Sequence, residues 1–227
     1  MQLLEELIDL NYVLLYLRGI IPYTFLIKSI KENVKVPVYC MVRPRGGPMT
    51  YSEKEKEVLL FEAKDLKEAG ADGLVFGALT EEGNVDQQLC KEFIKVAEGL
   101  PCTFHRAFDL TLDPLAELEV IIDLGFRRIL TSGCKSSAVE GSVLIKKLTQ
   151  LSNGRIVIMA GAGVRASNCL SLISKTGVSE IHTSAKMKKT FATRGSDEAR
   201  MGETDDNVVF VASSQEVKCI RSQLDNL

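Results

Sequence analysis

Residues 70–105 read GADGLVFGALTEEGNVDQQLCKEFIKVAEGLPCTFH. This stretch holds an apolar run from Gly73, a helical pattern between Asp86 and Gly99, and a second apolar run from Cys102. Asp is favoured at a helix N-cap, and Gly is favoured just beyond a helix C-terminus. Apolar runs without polar alternation are typical of parallel strands that are covered on both faces. The stretch therefore predicts a β-α-β unit.

The same unit recurs along the chain. Apolar runs begin at Val36, Gly73, Cys102, Arg128, Arg155 and Glu180, and the glycines that precede most of them are spaced by 29, 26, 29 and 23 residues: Gly70, Gly99, Gly125, Gly154 and Gly177. Helix starts are marked by Ser52 with Glu55, by Asp86, by Asp113 with Pro114 and by Ser213 with Glu216. A repeat of about 27 residues favours a TIM-type (β/α) barrel, because every crossover then has a similar length. An open flavodoxin-like sheet is the alternative.

The barrel is predicted to be incomplete. About six of the eight strands are recognisable within a single domain of residues 1–227. Residues 1–19 are interpreted as a divergent lead-in, whose segment Leu3–Leu17 could fill part of the gap as a helix, and the polar residues 186–207 as a mobile loop. The strand at 36–42 is then expected to lack a neighbour and to leave Tyr39 and Met41 uncovered. Such a chain should be marginally stable and prone to aggregate.

Composition narrows the function classes. A formal net charge of -2 argues against a nucleic-acid partner, which requires a basic face. Acidic residues interrupt the leucine-rich segment Leu3–Leu17 well before the length of a membrane span, so no membrane association is expected. None of the six cysteines forms a CxxC pair, and several lie in apolar runs. These features favour reduced thiols and a cytoplasmic protein.

Polar residues cluster where the predicted strands end. Arginines flanking a proline and followed by glycines are suited to holding a carboxylate or phosphate. A histidine near a carboxylate can act as a base or bind a metal. Glycine turns after the last strands of a barrel often hold phosphate, especially where the turn opens a helix. The turn at 160–164 is predicted to open a helix. We assign no catalytic residue and no metal ligand. The candidate binding residues are Arg43, Arg45, His105, Arg106, Asp109, Ser132, Gly161, Gly163, His182 and Ser184.

Six segments in matching order resemble the CutC family, and they look closer to its animal members than to its bacterial ones. They are 36–47, 70–83, 103–109, 129–134, 160–164 and 182–185. The resemblance implies a TIM barrel, a cytosolic protein that self-associates, and a role in copper homeostasis through Cu(I). The cysteines usually proposed as copper ligands in the family belong to its first two strands. This chain has residues 1–19 in their place, and none of its six cysteines matches them.

Two functions therefore compete. The resemblance implies a protein that binds or handles Cu(I), which prefers thiolate ligands. The residues at the strand ends instead make a cationic mouth, which disfavours a cation and favours an enzyme that acts on a small anionic substrate, a carboxylate or a phosphate. A chain that lacks two strands could also act only by associating with other chains.

Overall fold

The computed structural model describes residues 13–15, 21–33, 35–190 and 208–227. Within these ranges, seven parallel strands form one sheet in which each strand lies beside its neighbours in the chain. A flavodoxin-like sheet would instead place its first strand between the second and third. The incomplete barrel is confirmed, and the flavodoxin-like alternative is wrong. The strands are β1 Val13–Leu15, β2 Val38–Met41, β3 Gly73–Phe76, β4 Cys102–Phe104, β5 Arg128–Thr131, β6 Val157–Ala160 and β7 Glu180–Ile181.

Helices lie between consecutive strands of the sheet, and the last helix lies near the end of the described residues. They are α1 Thr24–Asn33, α2 Glu53–Glu68, α3 Gln87–Ala97, α4 Pro114–Asp123, α5 Ser142–Ser152, α6 Cys169–Thr176 and α7 Ser214–Leu224, with a 3₁₀ helix at Arg106–Leu110. The predicted helix starts are confirmed, because each capping side chain accepts a hydrogen bond from the first turn: Ser52, Asp86, Asp113 and Ser213. Gly177 is the C-cap of α6 with φ of 72°, a conformation that other residues rarely adopt.

The N-terminal segment departs from the prediction. Val13–Leu15 forms a strand, and Val13, Leu14 and Leu15 pair in parallel with Val38, Tyr39 and Cys40. The expectations that β2 has no neighbour and that this segment is a helix are therefore wrong for residues 13–15. Tyr39 and Met41 are also covered, with 8% and 7% of their surface exposed. The first strand of this sheet comes from the segment interpreted as a lead-in.

The predicted mobile loop begins as a regular element. Lys186–Thr190 forms a strand, β8, that pairs antiparallel with β9, Val208–Ala212. The loop interpretation is therefore wrong for residues 186–190. The rest of that segment, residues 191–207, lies outside the described residues.

The two faces of the sheet hold different side chains. The main core lies between sheet and helices and includes Phe76 and Phe104, both fully buried. Tyr39, Met41 and Val75 form a small cluster on the opposite face, the interior of the barrel. On that inner face Arg128 of β5 binds both carboxylate oxygens of Glu180 in β7, and it also donates to the Tyr39 hydroxyl, 3.2 Å away. This contact connects strands that are not neighbours in the sheet.

Candidate functional site

Three candidate residues lie where strands end. Arg43 follows β2, His105 follows β4, and His182 follows β7. The backbone N–H of His105 donates to Phe76 O at 2.9 Å, and that of His182 donates to Ala160 O at 2.8 Å, so both continue the ladder of the sheet. Because all seven strands are parallel, these positions share one edge. We call it the C-terminal edge, which is the face that carries the reactive groups in barrels.

Glycines on the inner face make room for the two histidines. A Cβ placed on Gly77 would lie 2.6 Å from Nδ1 of His105, and one on Gly161 would lie 3.3 Å from Cβ of His182 and 2.5 Å from a Leu130 methyl carbon. These positions therefore accept no side chain without displacing a neighbour. Gly77 was not among the predicted site residues. The available signal was a glycine inside an apolar strand pattern, which often marks a close approach.

His105 is a buried polar residue of this edge, with 3% of its surface exposed. Its Nδ1 accepts a hydrogen bond of 3.1 Å from the backbone N–H of Ala107. His105 is thereby the N-cap of the 3₁₀ helix. Its Nε2 is buried and has no hydrogen-bond partner among the described residues. Burial, together with the nearby charge of Arg43, lowers the pKa of His105 to about 3. The imidazole is therefore neutral at physiological pH.

Asp109 organises a second group of residues. Its carboxylate, 5% exposed, accepts hydrogen bonds from Arg106 Nε at 2.7 Å, from the Thr131 hydroxyl at 2.5 Å, and from the backbone N–H groups of Ser132 and Cys134. The Ser132 hydroxyl is fully committed as well, because Arg106 donates to it and both Asp109 and the Lys135 carbonyl lie within 2.9 Å. Asp109, Arg106 and Ser132 thus hold the 131–135 loop in shape. Arg106 also contributes, after burial, to lowering the pKa of the half-buried His182 to about 4.

The two predicted anion-binding arginines do different things. Arg45 donates to both oxygens of Glu55 and to the carbonyls of Pro48 and Thr50, so it fixes the loop after β2. Hydrogen bonds from Arg45 and Ser52 hold the pKa of Glu55 down at about 2. Among the described residues, Arg43 makes one hydrogen bond, from Nη2 to the Gly47 carbonyl at 2.9 Å. Its Nε is buried and has no partner among them. Arg45 is therefore structural, whereas Arg43 forms no salt bridge with a described residue.

The glycine turn at 160–164 does not open a helix. α6 begins at Cys169, and the N–H of Gly161 already donates to the Thr131 carbonyl at 2.9 Å. The Gly163 carbonyl accepts from the side chain of Asn168. The predicted link between this turn and a helix N-terminus is therefore wrong. Ser184 is exposed, and its neighbour Thr183 makes the local contact by donating to Val164 O.

The cysteines are dispersed. All six are free thiols, and four are buried: Cys40, Cys90, Cys102 and Cys169. Burial raises the pKa of Cys40 and of Cys102 to about 12. Across residues 13–15, 21–33, 35–190 and 208–227, no three His, Cys, Asp or Glu side chains lie close enough together to hold a metal ion. The same residues contain no helix with the length and hydropathy needed to cross a membrane.

Comparison with known proteins identifies the family. The CutC family model matches residues 7–187. The human copper homeostasis protein cutC homolog is 47% identical over 168 residues, which cover 74% of this chain and 62% of that protein. The family protein CutC of Pasteurella multocida is 41% identical over 209 residues, covering 91% of this chain and 86% of the bacterial one.

The fold gives the same answer. A CutC crystal structure from Streptococcus agalactiae superposes with a TM-score of 0.72 at 31% identity, over 76% of this chain and 88% of that one. The chain spans about three-fifths of the length of the human relative. The family model spans the sheet, from the segment before β2 to the start of β8. The chain belongs to the CutC family.

Proposed function

We propose that this chain takes part in copper homeostasis in the cytoplasm. The observation that carries the proposal is its identity of 47% and 46% to human and mouse relatives that are named copper homeostasis proteins. Six free cysteines and no disulfide among the described residues fit a reducing compartment. Fractionation of cells that express the tagged chain would test the location, and recovery with membranes or from the medium would contradict it.

The described residues do not fit a tight Cu(I) site. Cu(I) prefers thiolate and thioether ligands, but burial disfavours the thiolate form of Cys40 and Cys102. No three-ligand cluster is found in the ranges that the structure covers. We therefore infer that copper is a cargo, which this chain binds only weakly on its own. A role in homeostasis then rests on a partner, on further copies of the chain, or on chemistry at the C-terminal edge.

Competition with a Cu(I) chelator under anaerobic conditions tests this proposal. We expect the purified chain to lose copper to a chelator that a full-length relative resists. The half-buried thiols Cys134 and Cys219 are the most accessible, so Cys134→Ser and Cys219→Ser serve as the matched variants. Tight one-to-one binding that disappears in either variant would contradict weak binding and would locate the site.

We also propose that the chain self-associates. In the described part of the sheet, β1 and β7 each have one strand neighbour, and an edge strand offers unpaired N–H and C=O groups to another chain. Tyr23 and Phe25 of the adjacent segment are 78% and 80% exposed, which adds apolar surface. Light scattering after size-exclusion chromatography should give a mass above 25.0 kDa that falls on dilution. A monomer at all concentrations would contradict self-association.

A further inference from the structure

The hydrogen bond from Ala107 determines the tautomer of His105. A backbone N–H donates to Nδ1, so Nδ1 carries a lone pair and no proton. In a neutral imidazole the single proton then resides on Nε2. His105 therefore presents an N–H donor at Nε2, and that donor is buried without a partner among the described residues. A buried donor is normally satisfied, so an unsatisfied one calls for an explanation.

Arg43 provides a second unsatisfied donor near the first. Its Nε is buried without a partner in the described structure, and its charge acts on His105. The Tyr51 hydroxyl is also buried without a partner among the described residues; burial raises its pKa, and the charge of Arg43 partly offsets this. The charge of Arg43 thus acts on both of the other unsatisfied groups, and the guanidinium Nε and the imidazole Nε2 can only donate.

The positive charge at this point is not neutralised by the described residues. Arg45 is paired with Glu55, and Arg106 is paired with Asp109. Arg43 forms no salt bridge with any residue that the structure describes, and its one hydrogen bond goes to a neutral carbonyl, Gly47 O. An anionic oxygen is a stronger acceptor than a neutral carbonyl. A ligand that carries such an oxygen can therefore replace Gly47 O and satisfy Arg43 and His105 together.

We propose that Arg43 and His105 form a binding site for a small oxyanion, a carboxylate or a phosphate, in which neutral His105 donates a hydrogen bond through Nε2. The low pKa of His105 suits this role, because the imidazole stays neutral and keeps one fixed donor. Gly77 provides the space in which the ring lies.

Direct titration of the full chain with inorganic phosphate and, separately, with malonate tests the proposal. We expect His105→Asn to weaken binding about tenfold or more, as loss of a hydrogen bond to a charged group does. Asn retains an oxygen that can accept from Ala107, so the cap of the 3₁₀ helix is preserved while the donor at Nε2 is lost. His105→Gln can return a donor near that position and should bind better than His105→Asn.

Charge is controlled with a variant at the other end of the barrel. Arg155 precedes β6, pairs with Glu119 and is 44% exposed, so Arg155→Gln removes one positive charge away from the C-terminal edge. We expect Arg43→Met to weaken binding and Arg155→Gln to leave it unchanged. Binding of phosphate alone or of malonate alone supports the site and identifies the class of oxyanion. Absence of binding to the wild-type chain would overturn the proposal, and so would binding by Arg43→Met and His105→Asn as tight as that of the wild-type chain.

Nitrogen NMR of the imidazoles gives a readout that is independent of affinity. The chain has only two histidines, so His182→Asn leaves the His105 signals alone in the spectrum. We expect the tautomer protonated at Nε2 at pH 7, and a shift of the Nε2 signal when phosphate or malonate is added. A tautomer protonated at Nδ1, or an imidazolium at pH 6, would refute the assignment of His105 as a neutral donor even if Arg43 binds anions.

Discussion

Lowering the pH from 7.5 to 5.5 should destabilise the folded chain through His105. In the fold its pKa is about 3, because burial and the charge of Arg43 disfavour the imidazolium. In the unfolded chain the pKa returns to its ordinary value of 6.5. Protonation therefore favours unfolding. The stabilisation is complete above about pH 6.5 and is lost as the pH falls towards the folded-state pKa.

The magnitude follows from linkage between proton binding and unfolding. Between pH 7.5 and 5.5 the unfolded imidazole gains nearly one proton, whereas the folded one gains almost none. Each histidine that stays neutral in the fold therefore lowers the free energy of unfolding by about 1.4 kcal/mol over this interval. This value changes little with the exact pKa in the fold, provided that it lies well below 5. The pKa of His182, lowered to about 4, also lies below 5, so the same argument predicts a similar loss from it.

Urea unfolding followed by circular dichroism at several pH values measures the effect, in buffer free of phosphate and carboxylates. Burial raises the pKa of Glu62 and Glu117, and carboxyls with a raised pKa act in the opposite direction as the pH falls. The readout is therefore the difference between the wild-type chain and His105→Asn, in which the histidine contribution is absent. If His105→Asn lost as much stability as the wild-type chain, His105 would not be the buried neutral group described above.

Two further predictions concern the inner face of the barrel, and urea unfolding checks both. Gly77→Ala should cost about 1–3 kcal/mol, because its Cβ would lie 2.6 Å from Nδ1 of His105, whereas Gly46→Ala, with open space around it, should stay within about 0.5 kcal/mol. Equal effects would mean that the ring of His105 is not fixed over Gly77. Glu180→Gln should cost roughly 2 kcal/mol, because it breaks a mostly buried pair with Arg128, whereas Glu119→Gln, in an exposed pair with Arg155, should cost less than about 1 kcal/mol. A small loss for Glu180→Gln would show that water solvates Arg128 inside the barrel.

The order of elements was predictable because its signals are local. A capping side chain acts on backbone groups two or three residues away, as Ser52 does on Glu55, and an apolar run identifies a strand without reference to its partner. All six predicted strands are present in the expected order. β1 was missed for the complementary reason. Three residues in a leucine-rich segment are compatible with helix or strand, and only pairing with β2 decides between them.

The location of the site was also predictable, but its internal assignments were not. The rule that parallel strands end on one face places Arg43, His105 and His182 on the same edge without any knowledge of contacts. Which arginine forms a salt bridge depends on Glu55, ten residues after Arg45. Which polar groups are structural depends on Asp109 reaching Ser132 and Cys134. Many residue pairs at such separations could have met.

From the sequence alone, the repeat of strand and helix, the parallel sheet, the edge that carries the polar residues and the resemblance to a family are determined, because each depends on residue types and spacing along the chain. Only the tertiary structure decides that β1 covers β2, that Arg45 is neutralised while Arg43 is not, and that His105 is neutral with a donor at Nε2. The physical reason is that hydrogen bonding and desolvation depend on which groups meet across the fold, and this information is not contained in the spacing of residues along the chain.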